Sequence, residues 1–137
     1  MLVKNVMKKD VTTASEETTI QEASRIMADN HIGCLVITKN NTVTGIVTEY
    51  DILRSVAEGK DAEKKTVAHI MTPYIHAVTP DQKLEAAIKI LKKERIKKLL
   101  VMDGRKLIGI LTATDIIISQ PQMISELKSV LKKKRSG

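Results

Sequence analysis

Two short segments of the chain contain residue types that could hold a sugar phosphate: GIVTEYD at positions 45–51 and GILTATD at positions 109–115. In each segment, an apolar run followed by Thr predicts a strand that ends where a helix begins. The free amides and positive dipole end of a helix start suit a phosphate, and the Thr hydroxyl could add a hydrogen bond to it. One turn later, the Asp carboxylate could accept hydrogen bonds from both vicinal hydroxyls of a ribose. The pattern therefore predicts a nucleotide site.

The same residue types also permit a purely structural interpretation. A Thr followed three residues later by a carboxylate is close to a capping box, although Asp is shorter than the usual Glu. Such a cap stabilises a helix by about 1 kcal/mol. Capping alone does not require glycine, whereas Gly45 and Gly109 would leave room for a flat base or sugar to approach the strand. Because the glycine recurs in both segments, we favour the nucleotide interpretation.

An internal repeat places the two segments at equivalent positions. A shift of 64 residues aligns positions 3–53 with the later part of the chain without a gap. The identical pairs include Val3/Val67, Met7/Met71, Ala23/Ala87, Leu35/Leu99, Gly45/Gly109, Thr48/Thr112 and Asp51/Asp115. We infer that the chain contains two copies of one structural unit.

Each copy of the repeat predicts the element order β-α-β-β-α. In the first copy, Thr19 caps a helix, a turn at 39–41 joins strands at 35–37 and 43–47, and a second helix runs from Thr48 to about Val56. The second copy predicts a helix from about Lys83 to Arg95, strands at 99–102 and 107–111 joined by Asp103-Gly104, and a helix from Thr112.

We therefore expect an α/β (α+β) fold in which two repeats, residues 1–62 and 63–120, form small sheets flanked by helices. Because about 60 residues bury too little apolar surface alone, the two repeats should pack together as one module. Residues 121–137 add an amphipathic helix and a basic tail, expected to cover part of the module or a partner subunit. The apolar stripe of this helix is Met123, Ile124, Leu127, Val130 and Leu131.

Composition argues against several classes of function. The 137 residues are 42% apolar and 28% charged, as in a soluble globular protein. One cysteine, Cys34, cannot form a disulfide framework, and His31, His69 and His76 lack metal-ligand spacing, so we expect no metal site. With no apolar run of membrane-spanning length and no signal-peptide core at the N-terminus, we expect a cytoplasmic protein that does not contact membranes. Because the sequence has no P-loop, nucleophile elbow or paired catalytic carboxylates, we expect no enzyme activity.

Positive charge is concentrated in the later part of the chain. The formal net charge is +7, and residues 1–67 hold 9 basic and 10 acidic side chains, 68–120 hold 9 and 5, and 121–137 hold 5 and 1. The basic clusters are Lys89, Lys92, Lys93, Arg95, Lys97 and Lys98, and the tail Lys132, Lys133, Lys134 and Arg135. They predict either a solvated surface or an anion-binding one, so a nucleic-acid-binding protein is the alternative function. The absence of Phe and Trp argues against base stacking.

The paired Gly-x-x-Thr-x-x-Asp motifs, with the segments MKKDV at 7–11 and MTPYI at 71–75, resemble a tandem pair of cystathionine β-synthase (CBS) domains, a CBS or Bateman module. The resemblance covers residues 1 to about 120. It implies two repeats related by a pseudo-two-fold axis, and regulatory binding of AMP, ADP or ATP, or in some cases S-adenosylmethionine or NAD. It also implies an unknown regulated partner and a homodimer, formed through apolar helix faces and the 123–131 helix.

The resemblance also implies two clefts between the repeats, each completed by both. The first would use Ile46, Thr48, Asp51, Ile75, His76, Ala77, Lys97 and Lys98. The second would use Val11, Thr12, Thr13, Gly33, Cys34, Ile110, Thr112 and Asp115. Asp would hold the ribose, Thr the phosphate end, and the segments around Thr12 and His76 the adenine through backbone atoms.

Charge predicts a difference between these clefts. Lys97 and Lys98 fall at the family's phosphate-facing position, where the other cleft has Gly33 and Cys34. We therefore expect the cleft with Asp51 to prefer phosphorylated nucleotides, and the other cleft to bind more weakly or to prefer less charged ligands.

Overall fold

The computed structural model describes residues 1–73 and 76–132, which divide into two compact units. Of these residues, 12–73 form the first unit, and 1–11 together with 76–132 form the second. Each unit contains one three-stranded sheet with helices beside it, so the expected mixed α/β architecture with two small sheets is confirmed. The compact units thus divide the chain differently from the sequence repeat, because the first eleven residues join the second repeat. No helix in the two described ranges is long and apolar enough to cross a bilayer.

The first unit has the predicted element order. Its elements are β1 (Thr13–Ser15), α1 (Ile20–Asp29), β2 (Cys34–Lys39), β3 (Thr42–Thr48) and α2 (Glu49–Ala57). The central strand β2 pairs parallel with β1 and antiparallel with β3. Leu35, Val36 and Ile37 are consecutive buried residues, as expected for a central strand covered on both faces. α1 begins where predicted, since Thr19 Oγ1 accepts a hydrogen bond of 3.1 Å from the Glu22 amide.

The second unit repeats this order and extends it. Its elements are β4 (Ala77–Val78), α3 (Leu84–Glu94), β5 (Lys98–Asp103), β6 (Lys106–Thr112), α4 (Ala113–Ser119) and α5 (Ile124–Leu131). The predicted turn at Asp103-Gly104 is wrong by one residue: Asp103 still pairs with Lys106, and Gly104 and Arg105 form the connection. Gly104 has a φ of 61°, which explains the glycine.

The helix predicted after Pro121 covers its own unit. α5 packs against α3 and α4, and Leu127 and Val130 are fully buried in the core of the second unit. Ile124 and Leu131, predicted on the same stripe, are instead exposed. A 2.8 Å hydrogen bond and ion pair between Lys92 on α3 and Glu126 adds a polar contact. The predicted basic residues Lys133, Lys134 and Arg135 lie outside the described residues.

Candidate functional site

The first Thr-x-x-Asp motif forms a complete capping box at the start of α2. Thr48 Oγ1 accepts a hydrogen bond from the Asp51 amide at 3.2 Å. In return, Asp51 Oδ2 accepts hydrogen bonds from the Thr48 amide at 2.9 Å and from the Thr48 hydroxyl at 3.0 Å. The shorter Asp is therefore long enough to close this box. The structural interpretation of the motif holds here, because one carboxylate oxygen of Asp51 is occupied by the chain itself.

The second motif has the same residue types and a different hydrogen-bond pattern. Thr112 Oγ1 accepts from the Asp115 amide at 3.0 Å, which caps α4. Asp115 Oδ2 is buried and has no hydrogen-bond partner among the described residues. The other oxygen, Oδ1, lies 3.6 Å from Nζ of Lys8, and the Asp115 side chain is only 13% exposed. Because a buried acceptor without a donor costs about 1–3 kcal/mol, Asp115 can gain from a donor supplied by a ligand.

The segments at 7–11 and 71–75 pair with the strand that leads to each motif. The Lys8 amide donates to the Ile110 carbonyl at 2.9 Å, and the Ile110 amide donates to the Lys8 carbonyl at 3.0 Å. Thr72 and Ile46 exchange the same two bonds, both at 2.9 Å. Each segment is therefore bonded to the residue that lies two positions before the capping Thr of the same unit.

This pairing corrects the role predicted for the two glycines. A Cβ at Gly109 would lie 2.6 Å from Met7 Sδ and 2.9 Å from the Lys8 carbonyl oxygen. A Cβ at Gly45 would lie 2.9 Å from both Met71 Sδ and the Thr72 carbonyl oxygen. The space expected for a base or sugar is thus filled by the protein's own chain. Both glycines are explained by close approach of backbone to backbone.

In the first unit, several predicted residues gather at the start of α2. Cys34 lies opposite Thr48 in the β2–β3 ladder, and the Glu49 amide donates to the Gly33 carbonyl at 3.1 Å. The Glu49 carboxylate lies over Gly33, with Oε1 2.9 Å from where a Cβ would be. The remaining predicted residues of this unit, Thr12 and Thr13, lead into and begin β1, where the Thr12 carbonyl accepts from the Val36 amide at 3.4 Å.

In the second unit, the predicted lysines lie beside the start of α4. Lys98 is opposite Thr112 in the β5–β6 ladder, and the Lys97 carbonyl accepts from the Ala113 amide at 2.8 Å. Ala77 lies opposite Leu100, and the His76 carbonyl accepts from the Leu100 amide at 3.3 Å. His76 Nε2 is also 3.8 Å from Glu94 Oε1, a contact that the sequence did not predict.

The residues of each predicted cleft are divided between the two units. Thr48 and Asp51 lie in the first unit, while Lys97 and Lys98 of the same predicted cleft lie in the second. Val11, Ile110, Thr112 and Asp115 lie in the second unit, while Thr12, Thr13, Gly33 and Cys34 lie in the first. Ile75 lies outside the described residues. The assignment of these residues to two clefts remains a prediction.

Lys8 is the site residue that sequence reasoning missed. The 64-residue shift aligns it with Thr72, which marks the position as different in the two copies. Its proximity to Asp115 depends on the pairing of Lys8 with Ile110, which no local sequence pattern encodes. Within residues 1–73 and 76–132, no group of three or more His, Cys, Asp or Glu side chains could hold a metal ion.

The fold and the two motifs define a tandem repeat of small α/β domains, each with a Thr-x-x-Asp helix start beside a paired segment. The CBS domain family model matches residues 3–58 and 67–120. The chain belongs to the CBS domain family, and the resemblance inferred from the motifs is confirmed.

Curated relatives include both short and long proteins. The chain is 30% identical over 119 residues to the CBS domain-containing protein YhcV of Bacillus subtilis, covering 86% of this chain and 84% of that protein. It is 31% identical over 134 residues to the uncharacterized protein MK0525 of Methanopyrus kandleri, covering 96% and 68%. It is also 34% identical over 116 residues to a homoserine O-acetyltransferase of Methanosalsum zhilinae, covering 83% of this chain and 23% of that enzyme.

Solved structures share the fold across most of the chain. The CBS domain structure of NE2398 has a TM-score of 0.79 and 26% identity, covering 87% of this chain and 96% of that one. The CBS domain pair of protein MJ0100, solved in complex with 5′-methylthioadenosine and S-adenosyl-L-methionine, has a TM-score of 0.78 and 29% identity. That match covers 89% of this chain and 97% of the MJ0100 chain.

Proposed function

We propose that this protein is a regulatory CBS module that binds an adenosine-containing ligand, with the Asp115 carboxylate as a ribose acceptor, and that carries no catalytic activity of its own. The observation that carries the proposal is Asp115 Oδ2, a buried carboxylate oxygen without a partner among the described residues. Two vicinal hydroxyls would supply donors to this carboxylate. Hydrogen bonds to charged groups contribute about 1.5–3 kcal/mol each, so the two hydroxyls would favour binding at this carboxylate.

The choice of ligand class is supported by a relative. The MJ0100 domain pair, 29% identical to this chain, was solved with two adenosine-containing compounds. Adenosine, AMP, ADP, ATP, S-adenosylmethionine, methylthioadenosine and NAD share the adenosine ribose, and those with both vicinal hydroxyls free are candidates for Asp115. We retain the proposal that the two clefts are completed by residues of both repeats.

We further propose that Asp115 binds ribose more strongly than Asp51. Asp51 Oδ2 already accepts two hydrogen bonds from Thr48, so a ligand that uses both carboxylate oxygens must displace or share them. The Glu49 carboxylate adds negative charge at the same helix start, whereas the equivalent residue in the second unit is Ala113. The sequence predicted the opposite order: Gly33 and Cys34 indicated that the cleft with Asp115 would bind more weakly or prefer less charged ligands.

Titration calorimetry with adenosine, AMP, ATP and S-adenosylmethionine tests the proposal. Asp115→Asn keeps the shape of the side chain and removes its charge, so we expect the dissociation constant of the best ligand to rise about 10- to 100-fold. Asp51→Asn should have a smaller effect. Asp103→Asn, in the exposed hairpin of the same unit, is the matched control and should bind as the wild type does. Equal losses in the Asp115 and Asp51 variants, or none in either, would contradict the proposal.

We also propose that the module acts as a homodimer and passes ligand occupancy to a partner protein. The apolar side chains Tyr50, Leu53 and Val56 follow one another at helical spacing on α2, and Leu53 and Val56 are 67% and 65% exposed. On α4, Ile117, which aligns with Leu53, packs against the core of the second unit, and its neighbour Ile118 is exposed. Exposed apolar stripes of this kind mark surfaces that contact other proteins, and a second copy is the occupant that we propose.

Nucleic acid remains the second candidate ligand, on the observation that Lys89 and Lys93 are exposed on α3. Lys92, predicted in the same cluster, is already paired with Glu126. Binding through phosphate contacts would weaken steeply with salt and would not depend on base sequence. A gel shift at two salt concentrations, with and without AMP, distinguishes this function from nucleotide sensing.

A further inference from the structure

Lys8 is held in place by backbone pairing and reaches the candidate ribose acceptor with its side chain. The two hydrogen bonds with Ile110 fix its backbone next to β6, and its Nζ lies 3.6 Å from Asp115 Oδ1. The Lys8 side chain is 68% exposed, so the ammonium is also open to water. An ion pair that is exposed on one side contributes at most about 1 kcal/mol, so the ammonium can readily leave Asp115 for another anion.

The equivalent position in the first unit has no such charge. Thr72 makes the same two backbone bonds with Ile46, and Asp51 there bonds to Thr48 instead. The position therefore tolerates either residue without change in the backbone pairing. The fold does not require lysine at this position in the second unit. Lys8 there places a cation beside the largely buried Asp115 carboxylate.

We propose that Lys8 is the specificity-determining residue that makes the Asp115 site select nucleoside phosphates over nucleosides; this inference rests on the proposed binding of an adenosine ligand at Asp115. When the two ribose hydroxyls bind the Asp115 carboxylate, the Lys8 ammonium leaves Oδ1. Its flexible stem then lets it pair with the ligand phosphate. A nucleoside offers no such anion, so Lys8 would lose its partner without replacement.

This exchange leaves neither Lys8 nor Asp115 without a polar partner. Before binding, one ammonium faces one carboxylate, and after binding of a nucleotide the ammonium faces the phosphate while the hydroxyls satisfy Asp115. For adenosine, the energy of the Lys8–Asp115 pair opposes binding. For AMP, the new pair offsets that loss. The selectivity thus arises because Lys8 has an anionic partner in the AMP complex and none in the adenosine complex. Specificity is such a difference between the binding free energies of two ligands.

The test is calorimetry of adenosine and AMP with the full chain carrying Lys8→Thr, which installs the residue of the equivalent position. We expect the ratio of the adenosine and AMP dissociation constants to fall about fivefold, because one exposed ion pair with the phosphate is lost. Lys8→Arg should keep the ratio of the wild type. Lys9→Thr removes the neighbouring exposed lysine and should change the ratio less than twofold.

Five other results would overturn the inference. Affinities that rise equally for both ligands would mean that Lys8 only competes for Asp115, and affinities that fall equally would mean a structural role. A ratio that is unchanged in Lys8→Thr, while Asp115→Asn still weakens both ligands, would refute the selectivity and leave the proposed function standing. A wild type that binds neither ligand would refute both. A ratio in the wild type that does not decrease between 50 and 200 mM salt, conditions under which phosphate contacts weaken, would also contradict it.

Discussion

The substitution Gly109→Ala tests whether the motif glycine serves the protein's own packing. The added methyl group would meet Met7 Sδ, which can move, and the Lys8 carbonyl oxygen 2.9 Å away, which cannot move freely because it accepts a 3.0 Å hydrogen bond from Ile110. Overpacking of this kind costs about 1–3 kcal/mol. Alanine recovers about 0.5–1 kcal/mol in backbone entropy relative to glycine. The two ranges leave a net loss between about 0 and 2.5 kcal/mol. We expect a value near the middle, about 1 kcal/mol, which lowers the Tm by about 3–6 °C.

Urea unfolding and amide hydrogen exchange provide the assay. Exchange at the amides of Lys8 and Ile110 should accelerate in Gly109→Ala, because the paired segment is pushed away from β6. Gly33→Ala is the matched control: its methyl group would meet only the Glu49 Oε1 end of a flexible side chain, so stability should change by less than about 0.5 kcal/mol. If Gly109→Ala unfolds like the wild type and yet fails to bind nucleotides, the glycine makes room for a ligand and our correction of its role is wrong.

Two further predictions concern the helices. The hydrogen bond and charge of Lys92 hold the pKa of Glu126 below its usual value. The pair therefore stabilises the folded protein at pH values above the pKa that Glu126 has in the unfolded chain. This stabilisation is lost as the pH falls through the lower pKa of the folded state. The urea midpoint of Glu126→Gln should accordingly decline less on acidification than that of the wild type, and identical declines would show that the pair contributes nothing. Leu53→Lys should shift the protein from dimer to monomer in sedimentation at micromolar concentration, whereas a wild type that is already monomeric would refute the proposed interface.

Much of the fold was predictable because its signals are local. Thr19, Thr48 and Thr112 mark helix starts through their own hydroxyl groups, and runs such as 35–37 mark central strands through continuous apolar character. The hairpin of the second unit was misplaced by one residue, since Gly104 identifies a turn but not the pairing on either side. That register also contains an irregularity between Val101 and Met102, which the sequence did not predict.

The residue types of the site were predictable from the sequence, but the hydrogen bonds and ion pairs that they form were not. Asp51 and Asp115 occupy identical motif positions, and only the folded chain distinguishes a carboxylate bonded to its own cap from one that faces Lys8. The glycines show the same limit, because a sequence can indicate that space is needed but not which atoms fill it. Both differences arise from contacts between residues far apart in the chain.

The most direct measurement is a crystal structure of the protein grown with AMP. Our account predicts that both ribose hydroxyls lie within hydrogen-bonding distance of the Asp115 carboxylate, about 2.5–3.0 Å. A structure in which AMP binds elsewhere, while Asp115 closes onto the Thr112 amide as Asp51 does onto Thr48, would contradict it.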